Sequence, residues 1–276
     1  MSRDPSQDPH PGQNQDPDQA ERPLLVERLT DDPRVMVLTL NRPEARNSVD
    51  MSLARALFQA LADFDADPDL RVAVLTGAGK GFSAGMDLKA FASGDLPFLE
   101  DGGFAGLTRR PPRKPVVAAI EGFALAGGLE MALACDLIVA ADDAQLGLPE
   151  VRRGLVAAAG GLLRLPHRIP WHVAAEVALT GEPMSAARLH EVGLINRLTP
   201  PGGAVEAAVA LAGTIADNAP LAIETSKTIL ARAAEGGSDL TWDEHEILTR
   251  SVFESHDARE GSLAFAERRP PRWAGR

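Results

Sequence analysis

The chain has a single cysteine, Cys135, no tyrosine, and an aromatic content of only 4%. A lone thiol excludes an internal disulfide framework and fits a reducing compartment. Positive charge is also short: 28 basic against 39 acidic residues give a formal net charge of −11, and such a surface repels phosphate backbones. Nucleic acid is therefore not an expected partner. No His/Cys cluster has metal-ligand spacing, so no metal site is expected.

Long uncharged apolar runs are missing as well. The one membrane-length candidate, residues 122–141, carries Glu130, Asp136 and the Gly127-Gly128 pair. Each carboxylate would cost roughly 2.5 to 3.5 kcal/mol at a bilayer centre. A buried segment of a soluble, cytoplasmic protein is the better expectation, with no membrane partner. Residues 1–23 have no apolar targeting stretch and are rich in Asp, Pro and Gln. They read as a disordered acidic tail.

What the chain does have is enough length, 276 residues with 45% hydrophobic, to bury a sizeable core. Apolar runs at 24–29 and 35–40, separated by Asp31-Asp32-Pro33, predict a hairpin. Leu53, Leu57, Leu61 and Phe64 recur at helical spacing behind Ser48 and Asp50, either of which suits a helix cap. Strands follow at 72–76, 116–120 and 137–140, with a helix near 127–134. This alternation predicts an α/β class. From Pro200 the strand signal stops and helical segments follow, divided at Pro220, Gly236-Gly237 and His256-Asp257, with Thr241 and Glu244 at capping-box spacing. The expected organisation is a tail over 1–23, a core over 24–199 and a helical region over 200–276.

Residues 77–85, GAGKGFSAG, offer three catalytic patterns. Phe82 replaces the third glycine of a dinucleotide loop, and Gly81 follows Lys80 where a P-loop needs Ser or Thr, so both nucleotide patterns fail. The third is a formal GxSxG centred on Ser83, which leaves a serine esterase as a remote alternative. It is a poor match, because the five residues Gly77 to Gly81 come between the strand end and Phe82-Ser83.

Two segments stand out together, FSAGMDLK at 82–89 and EGFALAGGLE at 121–130. Both place glycine where backbone approaches a ligand closely, and free N–H groups there make an oxyanion hole. Glu130 and Glu150 lie in apolar surroundings and suit proton transfer. Bland alternatives stand beside this: Glu150 after Pro149 as a first-turn helix acid, Glu130 as half of a buried pair with an arginine, and the basic residues Arg109, Arg110, Arg113 and Lys114 as a solvated face.

These segments, together with CDLIVA at 135–140, AGGLLRLP at 159–166, Asn41-Arg42-Pro43 through Asn47, and EGSLAF at 260–265, strongly resemble the enoyl-CoA hydratase/isomerase (crotonase) family over 24–273. The resemblance implies a spiral of ββα units followed by helices that build homotrimers, commonly paired into hexamers. It implies acyl-CoA thioester substrates and no cofactor beyond the coenzyme A of the substrate. By position, the amides of Met86 and Gly127 form the oxyanion hole, with Asp87, Leu88 and Lys89 on the same substrate loop. Glu130 and Glu150 fall on the two hydratase glutamates, with Glu130 expected to act chiefly as base and Glu150 chiefly as acid, and Arg46 and Arg268 fall on positions near CoA.

Departures matter, since one fold hosts many reactions. Ala126 replaces the first glycine of a common Gly-Gly-Gly run, and Val156-Ala157-Ala158 replaces a usual Pro-Gly-Ala. Ala158 stands where dienoyl-CoA isomerases carry an extra acid, and retention of both glutamates sets the chain apart from one-glutamate isomerases. The expected activity is an enoyl-CoA hydratase-type lyase. Alternatives are another acyl-CoA isomerase or thioester hydrolase, and a non-catalytic acyl-CoA-binding or RNA-associated relative.

Overall fold

The computed structural model describes residues 22–235 and 241–276. The predicted acidic tail, apart from Arg22 and Pro23, and the Gly236-Gly237 break lie outside the described residues. Strands β1 (Leu24–Arg28) and β2 (Val35–Leu40) form the predicted hairpin, antiparallel with Leu24 opposite Leu40. Helix α1 (Met51–Ala66) begins at Asp50, whose carboxylate accepts from the Leu53 N–H at 2.8 Å. Asp50 is thus the cap rather than Ser48, and it satisfies one of the otherwise unpaired first-turn amides.

Strand β3 (Val72–Gly77), helix α2 (Leu88–Ala92), the two-residue strands β4 (Phe98–Leu99) and β5 (Gly103–Phe104), and strand β6 (Val116–Ile120) follow. Next come β7 (Phe123–Leu125), α3 (Gly127–Ala134), β8 (Leu137–Ala141) and β9 (Gln145–Gly147). A 3-10 segment, Pro149–Arg153, leads to α4 (Gly161–Arg168), α5 (Trp171–Thr180), β10 (Met184–Ser185), α6 (Ala186–Glu191) and β11 (Arg197–Thr199).

The main sheet runs β1-β2-β3-β6-β8-β11 and is parallel from β2 onward. A second sheet, β10-β9-β7, carries the segment leading into α3. Parallel strands are buried on both faces, which explains their unbroken apolar runs. Residues alternate between two cores: Met36, Leu38, Ala73, Leu75 and Ala118 face the α1 side, while Val35, Val37, Val72, Val74, Val117 and Val139 face the other.

The helical region from Pro200 comprises α7 (Ala204–Ala216), α8 (Pro220–Glu235), α9 (Trp242–Phe253) and α10 (His256–Glu267). Its first helix covers the valine face of the main sheet through Ala204, Ala208, Ala212 and Ala216, one alanine per turn. The capping box at Thr241 and Glu244 is formed in both directions. On the last three helices Leu230, Ile247, Phe253 and Phe265 are 67 to 87% exposed. No helix among the described residues is long and apolar enough to cross a membrane.

The basic run at 109–114 departs from a solvated face. Lys114 is buried, with Nζ donating to the carbonyls of Phe64 and Asp67 at the end of α1, and Arg113 pairs with Asp65 and Glu224. Helix α1 ends there with its carbonyls unpaired, and the ammonium satisfies two of them. Asp136 takes the structural role expected at a strand entry, accepting from the Val116 N–H at 2.8 Å and from Lys227 Nζ at 2.6 Å.

Candidate active site

Two loops meet at the end of the second sheet. The loop after β3 runs beside β7, with the Leu125 N–H donating to the Ser83 carbonyl at 2.9 Å and the Phe82 N–H to that of Phe123. Gly85 has φ +93°, and a Cβ placed on it would stand 2.8 Å from both the Gly127 nitrogen and the Ala126 Cβ. Only glycine allows this backbone conformation and this approach together.

The next residue, Met86, is clamped through its neighbours: the Val49 N–H donates to the Gly85 carbonyl at 2.8 Å and the Asp87 N–H to the Val49 carbonyl at 2.9 Å. Gly127 opens α3, where the helix dipole is positive. Among the described residues neither the Met86 nor the Gly127 N–H meets a hydrogen-bond acceptor. Two neighbouring loops therefore present unused amides, which is the arrangement an oxyanion requires.

Ser83 is not a nucleophile. Its side chain is fully buried, and Oγ donates to the Asn47 carbonyl at 2.8 Å while accepting from the Gly85 N–H at 3.1 Å. The esterase alternative is overturned, and the hydroxyl instead braces the turn before Met86. Asn47 continues that brace, donating from Nδ2 to the carbonyls of Ala78 and Gly81 at 2.8 Å. Arg42 ties the other side, pairing with Asp87 at 3.1 Å and Asp50 at 3.2 Å and donating to the Ser48 carbonyl. Asp87 also accepts from the amides of Lys89 and Ala90, so its carboxylate is committed to capping α2 and holding Arg42.

Glu130 lies one turn into α3 and is 3% exposed. Its Oε1 accepts from the Ala159 N–H at 2.7 Å and the Gly161 N–H at 2.9 Å. Burial raises its pKa, opposed by those two amides and by the charge of Arg164. The arginine expected from a buried pair is present as this nearby charge, while the oxygen itself is held by backbone.

Glu150 opens the 3-10 segment behind Pro149, and its Oε2 is buried without a partner among the described residues. Burial first, and the neighbouring Glu130 charge as a smaller contribution, push its pKa up to about 7. The fold thus brings the two glutamates close enough to interact but gives them opposite surroundings. One is anchored by amide donors, and the other retains a proton well above the ordinary carboxyl range, up to about 7.

That contrast has a stability consequence. The unfolded carboxyl ionises near 4.5, whereas the folded one holds its proton to about 7. Stability contributed by Glu150 is therefore full below pH 4.5 and falls as pH rises through 7. The raised value corresponds to roughly 3 kcal/mol at full burial, and solvent screening reduces it to about 2 kcal/mol. Glu150→Gln is expected to match the wild type in urea unfolding below this window and to be more stable by about 2 kcal/mol above it. Equal stabilities on both sides would refute the buried neutral acid.

Other expected site residues lie around this centre. Leu88 and Lys89 are exposed on α2, beside the clamped loop. Arg46 is exposed, and its carbonyl accepts from the Ala84 N–H at 3.0 Å, which sets it against the same loop. Arg268 sits apart as the exposed C-terminal cap of α10, and no hydrogen bond or ion pair among the described residues joins it to the two loops. Sequence reasoning missed the bracing roles of Arg42, Asn47 and Ser83 and the amides of Ala159 and Gly161. Only the Gly160-Gly161 pair signalled that backbone comes close to a neighbour there. Among the described residues no group of His, Cys, Asp and Glu is placed to hold a metal ion.

Comparison with known proteins agrees with this geometry. The family model described as enoyl-CoA hydratase/isomerase matches residues 31–276. An enoyl-CoA hydratase structure from Mycobacterium tuberculosis H37Rv is 51% identical, with a TM-score of 0.89 over 93% of this chain and 100% of that one. A carnitinyl-CoA hydratase structure from Mycobacterium avium is 43% identical, with a TM-score of 0.72 over 92% of this chain and 99% of that one. A carnitinyl-CoA dehydratase from Salmonella arizonae is 42% identical over 260 residues, covering 90% of this chain and 98% of its own length. By fold, by the order of its loops and by near full-length identity, the chain belongs to the enoyl-CoA hydratase/isomerase family.

Proposed function

We propose that this protein is a hydro-lyase that adds water reversibly across the double bond of a 2-enoyl-CoA thioester. The observation that carries this reading is the pairing of two unused amides, on Met86 and Gly127, with two interacting carboxyls of opposite surroundings. The thioester oxygen accepts from both amides, and charge that gathers on it as Cβ is attacked is stabilised. One such donor is worth roughly 2.7 to 4 kcal/mol.

Glu130, whose Oε1 is aimed by the Ala159 and Gly161 amides, in its ionised form takes a proton from water, and the oxygen of that water bonds to Cβ. Glu150, whose pKa is pushed up to about 7, delivers a proton from its neutral form to Cα. Solvent exchange then returns both carboxyls to their starting states. The reverse sequence dehydrates a 3-hydroxyacyl thioester, which is the direction named for the Salmonella relative. These steps are proton transfers and charge stabilisation, and they call for no cofactor beyond the substrate's own CoA.

Arg46, exposed and set against the same loop by its carbonyl, meets a CoA phosphate, and Arg268 serves the same purpose from a neighbouring subunit. The exposed apolar residues on α8 to α10 support a homotrimer or a dimer of trimers. Cytoplasmic location fits the single buried thiol.

A panel of acyl-CoA esters, analysed by mass spectrometry, tests the activity. Gain of one water by 2-enoyl esters supports hydration. Release of free CoA points to a hydrolase, and unchanged mass with altered retention to an isomerase. If enoyl-CoA esters bind but none changes, the hydratase reading is lost.

A further inference from the structure

We propose that Arg164 is a positioning residue that locks the loop whose amides hold the base to the segment packed on the oxyanion residue, a role that rests on the hydratase reading of the site. Its guanidinium bridges two segments that never meet in sequence. Nη2 donates to the Thr108 carbonyl at 2.7 Å. Thr108 in turn accepts through Oγ1 from the Phe104 N–H at 3.0 Å. The Phe104 ring then lies flush against Gly127, where a Cβ would stand 2.5 Å from ring carbon Cε1. One end of the chain of contacts is thus the amide-bearing residue at the start of α3.

The other end is Glu130. Arg164 occupies the first turn of α4, three residues beyond Gly161, whose amide holds Glu130 Oε1 at 2.9 Å. Gly160 adopts φ +95°, and a Cβ on it would overlap Nη1 of Arg164, so the guanidinium is folded over the same loop that supplies the Ala159 and Gly161 amides. A shift of this loop by an ångström moves the carboxylate relative to the oxyanion amides, and misplacement of that size costs about a hundredfold in rate.

Arg164 also contributes charge. The charged group that acts on Glu130 is Arg164 from α4, while Glu130 itself acts on Glu150 of the 3-10 segment, where Arg153 opposes it. Arg164 is the cation among them that favours an ionised Glu130. Geometry and charge are separable, because lysine keeps the cation but lacks the planar fork that spans Thr108 and Gly160.

The test compares Arg164→Gln and Arg164→Lys with the wild type in two measurements. The first is steady-state hydration of an enoyl-CoA. The second is an NMR titration of the Glu130 side-chain carboxyl without substrate, assigned by its loss in Glu130→Gln. Arg164→Gln is expected to lower kcat roughly tenfold to a hundredfold, to change KM less than about threefold, and to move the Glu130 midpoint to higher pH. Arg164→Lys is expected to lower kcat while keeping the midpoint near that of the wild type. A folded Arg164→Gln variant with an unmoved midpoint or undiminished kcat overturns the proposal. If that variant does not fold, Arg164→Lys decides: a kcat equal to the wild type overturns the proposal, and a lowered kcat with the midpoint kept supports it. Failure of the wild type to hydrate any enoyl-CoA, with the midpoint shift intact, refutes the hydratase reading and leaves the hold of Arg164 on Glu130 standing.

Discussion

Glu130→Gln is expected to leave a folded protein that binds CoA esters but hydrates a 2-enoyl-CoA about a thousandfold more slowly. The folded state survives because the amide oxygen of glutamine accepts from the Ala159 and Gly161 N–H groups as the carboxylate does. Neither backbone donor is left unpaired, so the penalty for stranding those amides is avoided. What disappears is the ability to take a proton from water, and general acid-base catalysis of this kind is worth roughly 10² to 10⁴ in rate. The check is loss of enoyl absorbance beside a binding titration. Activity within about threefold of the wild type, with unaltered binding, would remove Glu130 from the chemistry.

Gly85→Ala should be nearly as damaging, for a reason that involves no proton. The new methyl stands 2.8 Å from the Gly127 nitrogen and 3.0 Å from the Leu125 carbonyl, both backbone atoms that cannot swing aside. The two loops must separate, and with them the Met86 and Gly127 amides. Loss of one properly aimed donor costs about 10² to 10³ in kcat. Alanine at φ +93° adds a conformational cost of roughly 1 to 2 kcal/mol in stability. Gly94→Ala separates the two effects. Gly94 has φ +86°, but a Cβ there would meet no atom within 4 Å, so that variant should lose stability and keep its kcat. Equal kcat losses in both variants would show that backbone strain, not the separation of the loops, is responsible.

Much of the architecture could be read from residue order because its signals are local. The apolar run at Val116–Ile120 forms the strand expected of it, and Leu53, Leu57, Leu61 and Phe64 all turn inward from one helix face. The second sheet was not legible, since β7 and β9 have three residues each and β10 two, too few for any periodicity. The choice between Ser48 and Asp50 as helix cap turned on the local backbone geometry of one turn, and the burial of Lys114 on tertiary contacts that composition does not encode.

The site shows the same division. Local pattern marked the glycine loops, and family resemblance joined Glu130 with Glu150. The groups that hold Glu130 are backbone amides 29 and 31 residues away, and every residue but proline carries one. Likewise the pairing of Arg42 with Asp87 spans 45 residues and links two motifs that appear independent along the chain. Side-chain identity announces chemistry more readily than it announces the scaffold that aims it.

The alanine ladder of α7 bears on how the molecule can be cut or grown. With side chains no larger than methyl at Ala204, Ala208, Ala212 and Ala216, the helix backbone itself serves as the lid on the valine face of the sheet. A fragment ending before that helix would expose a full sheet face to water, so the region after Pro200 is not a detachable module. Nor can it be thickened: any larger residue on the ladder would lift the helix from strands β3, β6 and β8, and the first two of these lead into the glycine loops of the candidate site.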